Sequence, residues 1–187
     1  MSPDQPTVLV VDDERDVADL YAMWLEGDYR VRSAYEGEEA LAVLDDAVDV
    51  VLLDRRMPGR SGDEVLARIR ERDIDCRVVM VTAVKPDFDI LEMGFDDYLV
   101  KPVSKDELHE AVERMLTRVD YGTQLQEYFS LVSKRAVLES EKDPESLESN
   151  EEYDRLQAEI EDLEAEVDTA RDRLDGHDDF VGAFQDL

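Results

Sequence analysis

The sequence predicts an α/β fold, a five-stranded parallel sheet with helices on both faces, followed by a separate α-helical extension. Three observations lead there. Residues 7–119 alternate short runs rich in Val, Leu and Ile with amphipathic stretches, the pattern of doubly covered strands joined by crossover helices. Four of the five strand candidates run into a reactive polar side chain, as befits an open parallel sheet whose ligand site lies beyond the carboxyl ends of its strands. Beyond Val119 the alternation stops and long helical stripes replace it, which divides the chain into domains at 1–120 and 121–187.

The first strand is expected over 7–11, and the helix after it carries Val17, Leu20, Tyr21 and Trp24 on one face. The second strand, 29–34, ends in Ala34-Tyr35 with no reactive group, which suits an edge position away from the site. Ala40, Leu41 and Leu44 mark the second helix, and 48–53 the third strand. Val65, Leu66 and Ile69 form the stripe of the third helix, whose start is signalled by Ser61 three residues before Glu64, the spacing of a capping box. The fourth strand is 77–81, and Phe88, Ile90 and Leu91 support only a short fourth helix. The fifth strand is 97–100. Leu108, Ala111, Val112, Met115 and Leu116 define the fifth helix, with Ser104 as N-cap and Glu107 three residues on.

In the extension, Leu125, Tyr128, Phe129, Val132 and Ala136 give one helical stripe, and Gly122 stands where the preceding helix could hinge or continue. Pro144 disfavours helix at Asp143, so a break is expected there. A further helix is expected from Ser149, with Glu152 three residues later. Along it Tyr153, Leu156, Ile160, Leu163, Val167, Ala170 and Leu174 step alternately by 3 and 4, an apolar seam that stops at Gly176 and needs a partner. Two amphipathic helices around the Pro144 break can close into a hairpin. A parallel homodimeric coiled coil is the alternative, marginal at this length. The tail with Phe180, Val181 and Phe184 is too short to interpret.

Composition narrows the classes. Acidic residues outnumber basic ones 50 to 21, for a net charge of -29, and only five of the bases are lysines. Such self-repulsion is costly in dilute buffer but is screened within about 3 Å at molar salt, so the surface suits a salt-rich cytoplasm. Residues 121–187 hold 20 acids and 6 bases, which weighs against a DNA-binding module, because duplex binding depends on Lys and Arg at the phosphates. No apolar run approaches the roughly 18 to 20 residues of a membrane span, and the N-terminus lacks a signal pattern, so a cytoplasmic protein is expected. The single Cys76 can form no internal disulfide and reads as a spectator thiol; His109 and His177 are far apart in sequence and read as solvated.

The chemistry is concentrated at the strand ends. The first strand runs into Asp12-Asp13, the third into Asp54, the fourth into Thr82 and the fifth into Lys101. Crowded carboxylates repel, and a hard divalent cation such as Mg²⁺ relieves this through oxygen ligands. With the metal present, one carboxylate can attack phosphorus and form an aspartyl phosphate, its charge shared with an ammonium and a hydroxyl. An Asp pair alone would mean little in so acidic a chain. Its joint placement with Asp54, Thr82 and Lys101 carries the reading.

The runs Val8-Leu9-Val10-Val11-Asp12-Asp13-Glu14, Leu52-Leu53-Asp54 with Met57-Pro58-Gly59 and Gly62, Val81-Thr82-Ala83, and Tyr98-Leu99-Val100-Lys101-Pro102 resemble the receiver domain of two-component response regulators over about residues 6–119. The resemblance implies a flavodoxin-like sheet in the order 2-1-3-4-5 and Asp54 as phosphoacceptor. It implies Mg²⁺ held by Asp12, Asp13, Asp54 and the backbone carbonyl of Arg56, and Thr82 and Lys101 binding the phosphoryl group. It further implies Tyr98 as an aromatic that turns inward as Thr82 moves, a cis Lys101-Pro102 peptide, and a sensor histidine kinase as donor. Such a chain is a switch and not an enzyme. Arg55 and Arg56 after the phosphoacceptor, and the apolar Val84 two beyond Thr82, depart from the commonest pattern, and Arg56 is expected either to lie over the phosphoryl group and alter its lifetime or to face solvent.

Residues 121–187 resemble the HalX domain of regulators from halophilic archaea, through Leu125-Gln126-Glu127-Tyr128-Phe129, Ser133-Lys134-Arg135-Ala136 and Glu152-Tyr153. That resemblance supplies no biochemical activity. Three functions follow as expectations: a phosphoacceptor switch reporting to a downstream protein, a DNA-binding transcriptional regulator, and a dimerisation or assembly module with a vestigial receiver. The complete strand-end set favours the first.

Overall fold

A computed structural model describes the backbone of residues 5–118 and 123–174, and the side-chain environments of 5–116 and 125–165. Five parallel strands, β1 Thr7–Val11, β2 Arg30–Ala34, β3 Val50–Leu53, β4 Arg77–Thr82 and β5 Asp97–Val100, pair in the order β2-β1-β3-β4-β5. Between them lie α1 Arg15–Leu25, α2 Gly37–Val43, α3 Gly62–Glu71 and a single 3₁₀ turn Phe88–Glu92, and after them α4 Lys105–Arg118. The extension is α5 Thr123–Glu141, α6 Pro144–Glu148 and α7 Glu151–Leu174.

Strand alternation sorts the core into two layers, because successive side chains of a strand point to opposite faces. Val8, Val10, Val50, Leu52, Val79 and Val81 pack with α1 and α4 through Ala18, Leu25, Leu108, Val112 and Met115. Leu9, Val11, Val51, Leu53, Val78 and Met80 pack on the opposite face with Leu41, Val65, Leu66 and Ile69 of α2 and α3. Runs buried on both faces are why these strands are continuously apolar instead of alternating.

The second and third strands begin later than the sequence suggested. At the third, Asp49 already bonds both neighbours, from its N–H to the Thr7 carbonyl and from the Arg77 N–H to its own carbonyl, each at 2.9 Å, but regular pairing starts only at Val50. Ser61 and Glu64 form the expected capping box at α3, and Ser104 and Glu107 exchange the same bonds at α4. Asp143 caps α6, with Pro144 at its first turn. The cap of α7 is Asn150, one residue beyond the expected Ser149, its side chain accepting from the N–H groups of Glu152 and Tyr153. Gly122 and the tail beyond Leu174 lie outside the described residues.

The short 3₁₀ turn decides where the extension goes. Only Ile90 of its five residues is a fully buried apolar anchor, so one turn leaves the flank of β5 and Phe95 to be covered by other residues. The extension covers them. Leu138, Leu147, Tyr153, Leu156 and Ile160 are buried in one continuous cluster with Ile90, Phe95 and Tyr98. The Ser130 hydroxyl donates to the Phe95 carbonyl at 2.7 Å, and the buried Lys134 ammonium donates to the Leu91 carbonyl at 3.3 Å and lies over the Phe95 ring. α5 and α7 pack on each other, with Tyr153 donating to Glu139 at 2.8 Å. The first half of the apolar seam thus has its partner within the chain, in the hairpin arrangement. Val167, Ala170 and Leu174 fall beyond the described side chains.

Candidate functional site

Register brings the strand-end residues together. Val11 pairs with Leu53, so the next residues, Asp12 and Asp54, leave the sheet side by side. Thr82 pairs with Val100, and the Lys101 N–H donates to the Thr82 carbonyl at 2.9 Å, which sets Lys101 beside Thr82. The Asp54 N–H donates to the Val11 carbonyl at 2.9 Å and ties the two acidic ends together. The loop after Asp54 folds back tightly: Gly59 takes a positive φ of 74°, and Gly62 lies against the Asp54 backbone, where a Cβ would stand 2.0 Å from the Asp54 carbonyl oxygen. A side chain at Gly62 would therefore displace either α3 or Asp54.

Ligand oxygens of Asp12, Asp13 and Asp54 lie within 4.8 Å of one another. Asp12 and Asp54 are buried and Asp13 is half-buried. Lys101 reaches across the sheet end, donating to Asp12 at 2.6 Å and standing 4.0 Å from Asp54. The Arg55 N–H donates to Oδ1 of Asp54 at 2.8 Å, which fixes the plane of that carboxylate. Burial drives the Asp54 carboxyl above its ordinary range and the charge of Asp12 adds to this, while the Thr82 hydroxyl, Lys101 and the Arg55 N–H oppose it. At Lys101 burial pulls downward, but the bond to Asp12 and the charges of Asp54 and Asp12 hold the ammonium above its usual value. A carboxylate trio, two of its members buried, with all-oxygen donors and one ammonium bonded among them is a set that a hard divalent cation fits.

The site opens into a cleft of about 590 Å³ lined by Asp13, Asp54, Arg56, Thr82, Lys85 and Lys101 among others. A second cleft of about 780 Å³ beside it shares Asp13, Arg56, Val84 and Lys85. The Val84 N–H donates to the Thr82 hydroxyl at 3.3 Å, and its carbonyl accepts from the Tyr98 hydroxyl at 2.6 Å. Tyr98 is buried against Phe95, on the face of the sheet that the extension covers. Lys101-Pro102 is cis.

Arg55 and Arg56 part company. Arg56 is exposed and lines both clefts. Arg55 turns the other way, its guanidinium pairing with Asp63 of α3 at 2.9 Å and with Asp89 of the 3₁₀ turn. Sequence reasoning missed Asp63, Asp89, Lys85 and Asp87 as neighbours of the site. They are charged loop or helix-end residues with no motif spacing, and only the fold brings them near Asp54.

The response regulator receiver domain model matches residues 8–113, and the HalX domain model residues 117–184. A Haloferax volcanii protein provisionally named a transcriptional regulator is 52% identical over 174 residues, which are 90% of this chain and 30% of that protein. The transcriptional regulatory protein CpxR of Escherichia coli K12 is 37% identical over 123 residues, 64% of this chain and 53% of CpxR. The chain thus spans under a third of the first relative and about half of the second. Among solved structures, Thermotoga maritima TrrA in complex with Mg²⁺-BeF is 36% identical with a TM-score of 0.52, covering 59% of this chain and 98% of that one. A CheY-like receiver of Methanospirillum hungatei is 26% identical with a TM-score of 0.58, covering 64% and 100%.

Proposed function

We propose that this chain, which belongs to the response regulator receiver family and carries a HalX domain after the receiver, accepts a phosphoryl group on Asp54 from a sensor histidine kinase and signals through its C-terminal helices. The observation that carries the reading is the convergence of Asp12, Asp13 and Asp54 within 4.8 Å, with Lys101 and Thr82 on the same rim.

An Asp54 oxygen forms the new O–P bond as the N–P bond of a kinase phosphohistidine breaks, and the imidazole nitrogen leaves. The Arg55 N–H holds the attacking carboxylate in place, which removes a rotational cost from the transfer. Lys101, already poised 4.0 Å from Asp54, exchanges its bond to Asp12 for the phosphoryl oxygens, and the Thr82 hydroxyl donates to another. Asp12, Asp13, Asp54 and the Arg56 carbonyl would hold Mg²⁺, which when bound supplies the positive charge that lets an anionic donor approach three carboxylates. Once Thr82 turns to the phosphoryl group it no longer accepts from Val84, and the loop bearing the Tyr98 hydrogen bond is freed to move.

The reading is of a signalling switch in the cytoplasm; no helix among the described residues is long and apolar enough to cross a membrane. Its output is a protein contact, favoured over DNA by the net -14 of residues 121–187, from 6 bases and 20 acids. Incubation with Mg²⁺ and acetyl phosphate in molar KCl should add one phosphate by intact mass, labile to hydroxylamine and absent from Asp54→Asn. No added phosphate, or equal addition to Asp54→Asn, refutes the proposal. Tight, sequence-selective DNA binding in a gel-shift series would replace the protein output with the transcriptional one.

A further inference from the structure

Lys85 lies three residues beyond Thr82, in the loop that leads to the 3₁₀ turn, and it faces two ways. It is one of the residues lining the cleft that contains Asp54, Thr82 and Lys101. Its ammonium is 3.0 Å from Glu141, the last residue of α5. Two residues on, Asp87 pairs with Lys142 at 2.8 Å, and Lys142 also lies over the Phe88 ring. The loop after Thr82 is therefore clamped at two points to the end of the long helix of the extension.

We infer that Lys85 is a phosphoryl-sensing cation: when Asp54 carries a phosphoryl group, Lys85 leaves Glu141 for that group and unfastens the last turn of α5. This rests on the phosphoacceptor reading of Asp54. The exchange is downhill on charge and exposure. The Lys85 side chain is 77% exposed and that of Glu141 24%, so the pair is open to water at its cationic end, weak there and weaker at molar salt. A phosphoryl group brings a charge of about −1.5 to −2 into a half-enclosed cleft, where a cation is held more firmly than at the surface. Lys101, once it has left Asp12, answers about one unit of that charge, so a second cation still finds negative charge to match.

The same magnitudes limit the response. Leu138 is fully buried, and the Asp87–Lys142 pair does not involve Lys85, so α5 stays docked through Leu138 and only residues 139–141 loosen. Because coupling is reciprocal, the factor by which Lys85 steadies the phosphoryl group is the factor by which the helix end is released. Glu141 thereby acts as a brake on the phosphorylated state.

The test uses the full chain, Lys85→Met, Lys85→Arg and Glu141→Gln in molar KCl with Mg²⁺. Acetyl phosphate is the donor, its acetate leaving as the Asp54 O–P bond forms. Phosphoryl half-life is read by intact mass, and amide exchange across 137–142 is read with and without beryllofluoride. The expected result is a half-life about fivefold shorter in Lys85→Met and longer by less than about twofold in Glu141→Gln, whose screened pair holds Lys85 only weakly. Beryllofluoride should speed exchange at 139–141 in the wild-type chain, fail to do so in Lys85→Met, and do so again in Lys85→Arg. If phosphate is gained but half-lives and exchange match across the four proteins, the Lys85 inference is overturned while the phosphoacceptor reading stands. If the wild-type chain gains no phosphate, both are overturned.

Discussion

Replacing Leu138 with alanine tests whether receiver and extension share one core. Leu138 is on α5, yet its side chain is fully buried in the same cluster as Ile90, Phe95 and Tyr98 of the receiver and Leu147, Tyr153 and Ile160 of the extension. The substitution removes about three carbon atoms' worth of burial, roughly 2.4 kcal/mol at about 0.8 kcal/mol per methylene. A cavity walled by two domains cannot collapse easily, so the total should reach about 3 to 4 kcal/mol. For a chain of this size that corresponds to a Tm lower by about 6 to 16 °C. The assay is scanning calorimetry of the full chain in molar KCl, with Met23→Ala, at a position 63% exposed, as a control expected to shift stability by less than about 0.5 kcal/mol. One transition moving as a unit supports a shared core. A new low-temperature transition with the main one unmoved would show that the extension melts alone and that the common cluster is not cooperative.

Lys134→Met should raise stability by about 1 kcal/mol at pH 7, because the ammonium is buried with a long bond to the Leu91 carbonyl and the Phe95 ring beside it, and burial outweighs the charges of Glu159 and Asp96. Burial lowers the Lys134 pKa, so the folded state binds fewer protons than the unfolded one; wild-type stability then rises with pH and the gap should narrow toward pH 10, whereas a gap constant with pH in paired denaturant titrations would contradict this. Cys76, 1% exposed with its thiol pushed up to about 11 by burial, should react with a thiol reagent at pH 8 only as fast as the protein opens, and at full stoichiometry in denaturant; rapid labelling of the native protein would count against its burial. Arg56→Ala should shorten the phosphoryl half-life several-fold by opening the cleft to water, and an unchanged half-life would mean that Arg56 is only a solvent-facing charge.

How legible each part was in the sequence depended on the range of the interaction behind it. Asp12, Asp54, Thr82 and Lys101 could be found because a strand end is a local feature, and parallel pairing with register Val11 to Leu53 and Thr82 to Val100 does the rest. The capping boxes at Ser61 and Ser104 were legible for the same reason, being contacts across three residues. Asn150 displaced Ser149 as the α7 cap because a Ser, an Asn and a Glu so close together offer two overlapping start signals, and nothing local decides between them. What the sequence hid was the coupling. Phe88, Ile90 and Leu91 are too few for periodicity to tell one 3₁₀ turn from a longer helix, yet that shortness is what leaves Phe95 and the flank of β5 to α5 and α7. The apolar seam announced that Tyr153, Leu156 and Ile160 needed a partner but could not say that the receiver was part of it. The pairs that join loop to extension, Lys85 with Glu141 and Asp87 with Lys142, lie some 55 residues apart and obey no spacing rule. On the proposed reading, a phosphoryl group on Asp54 would be felt through these non-local contacts as well as through Thr82 and Val84, and only the latter are near a motif.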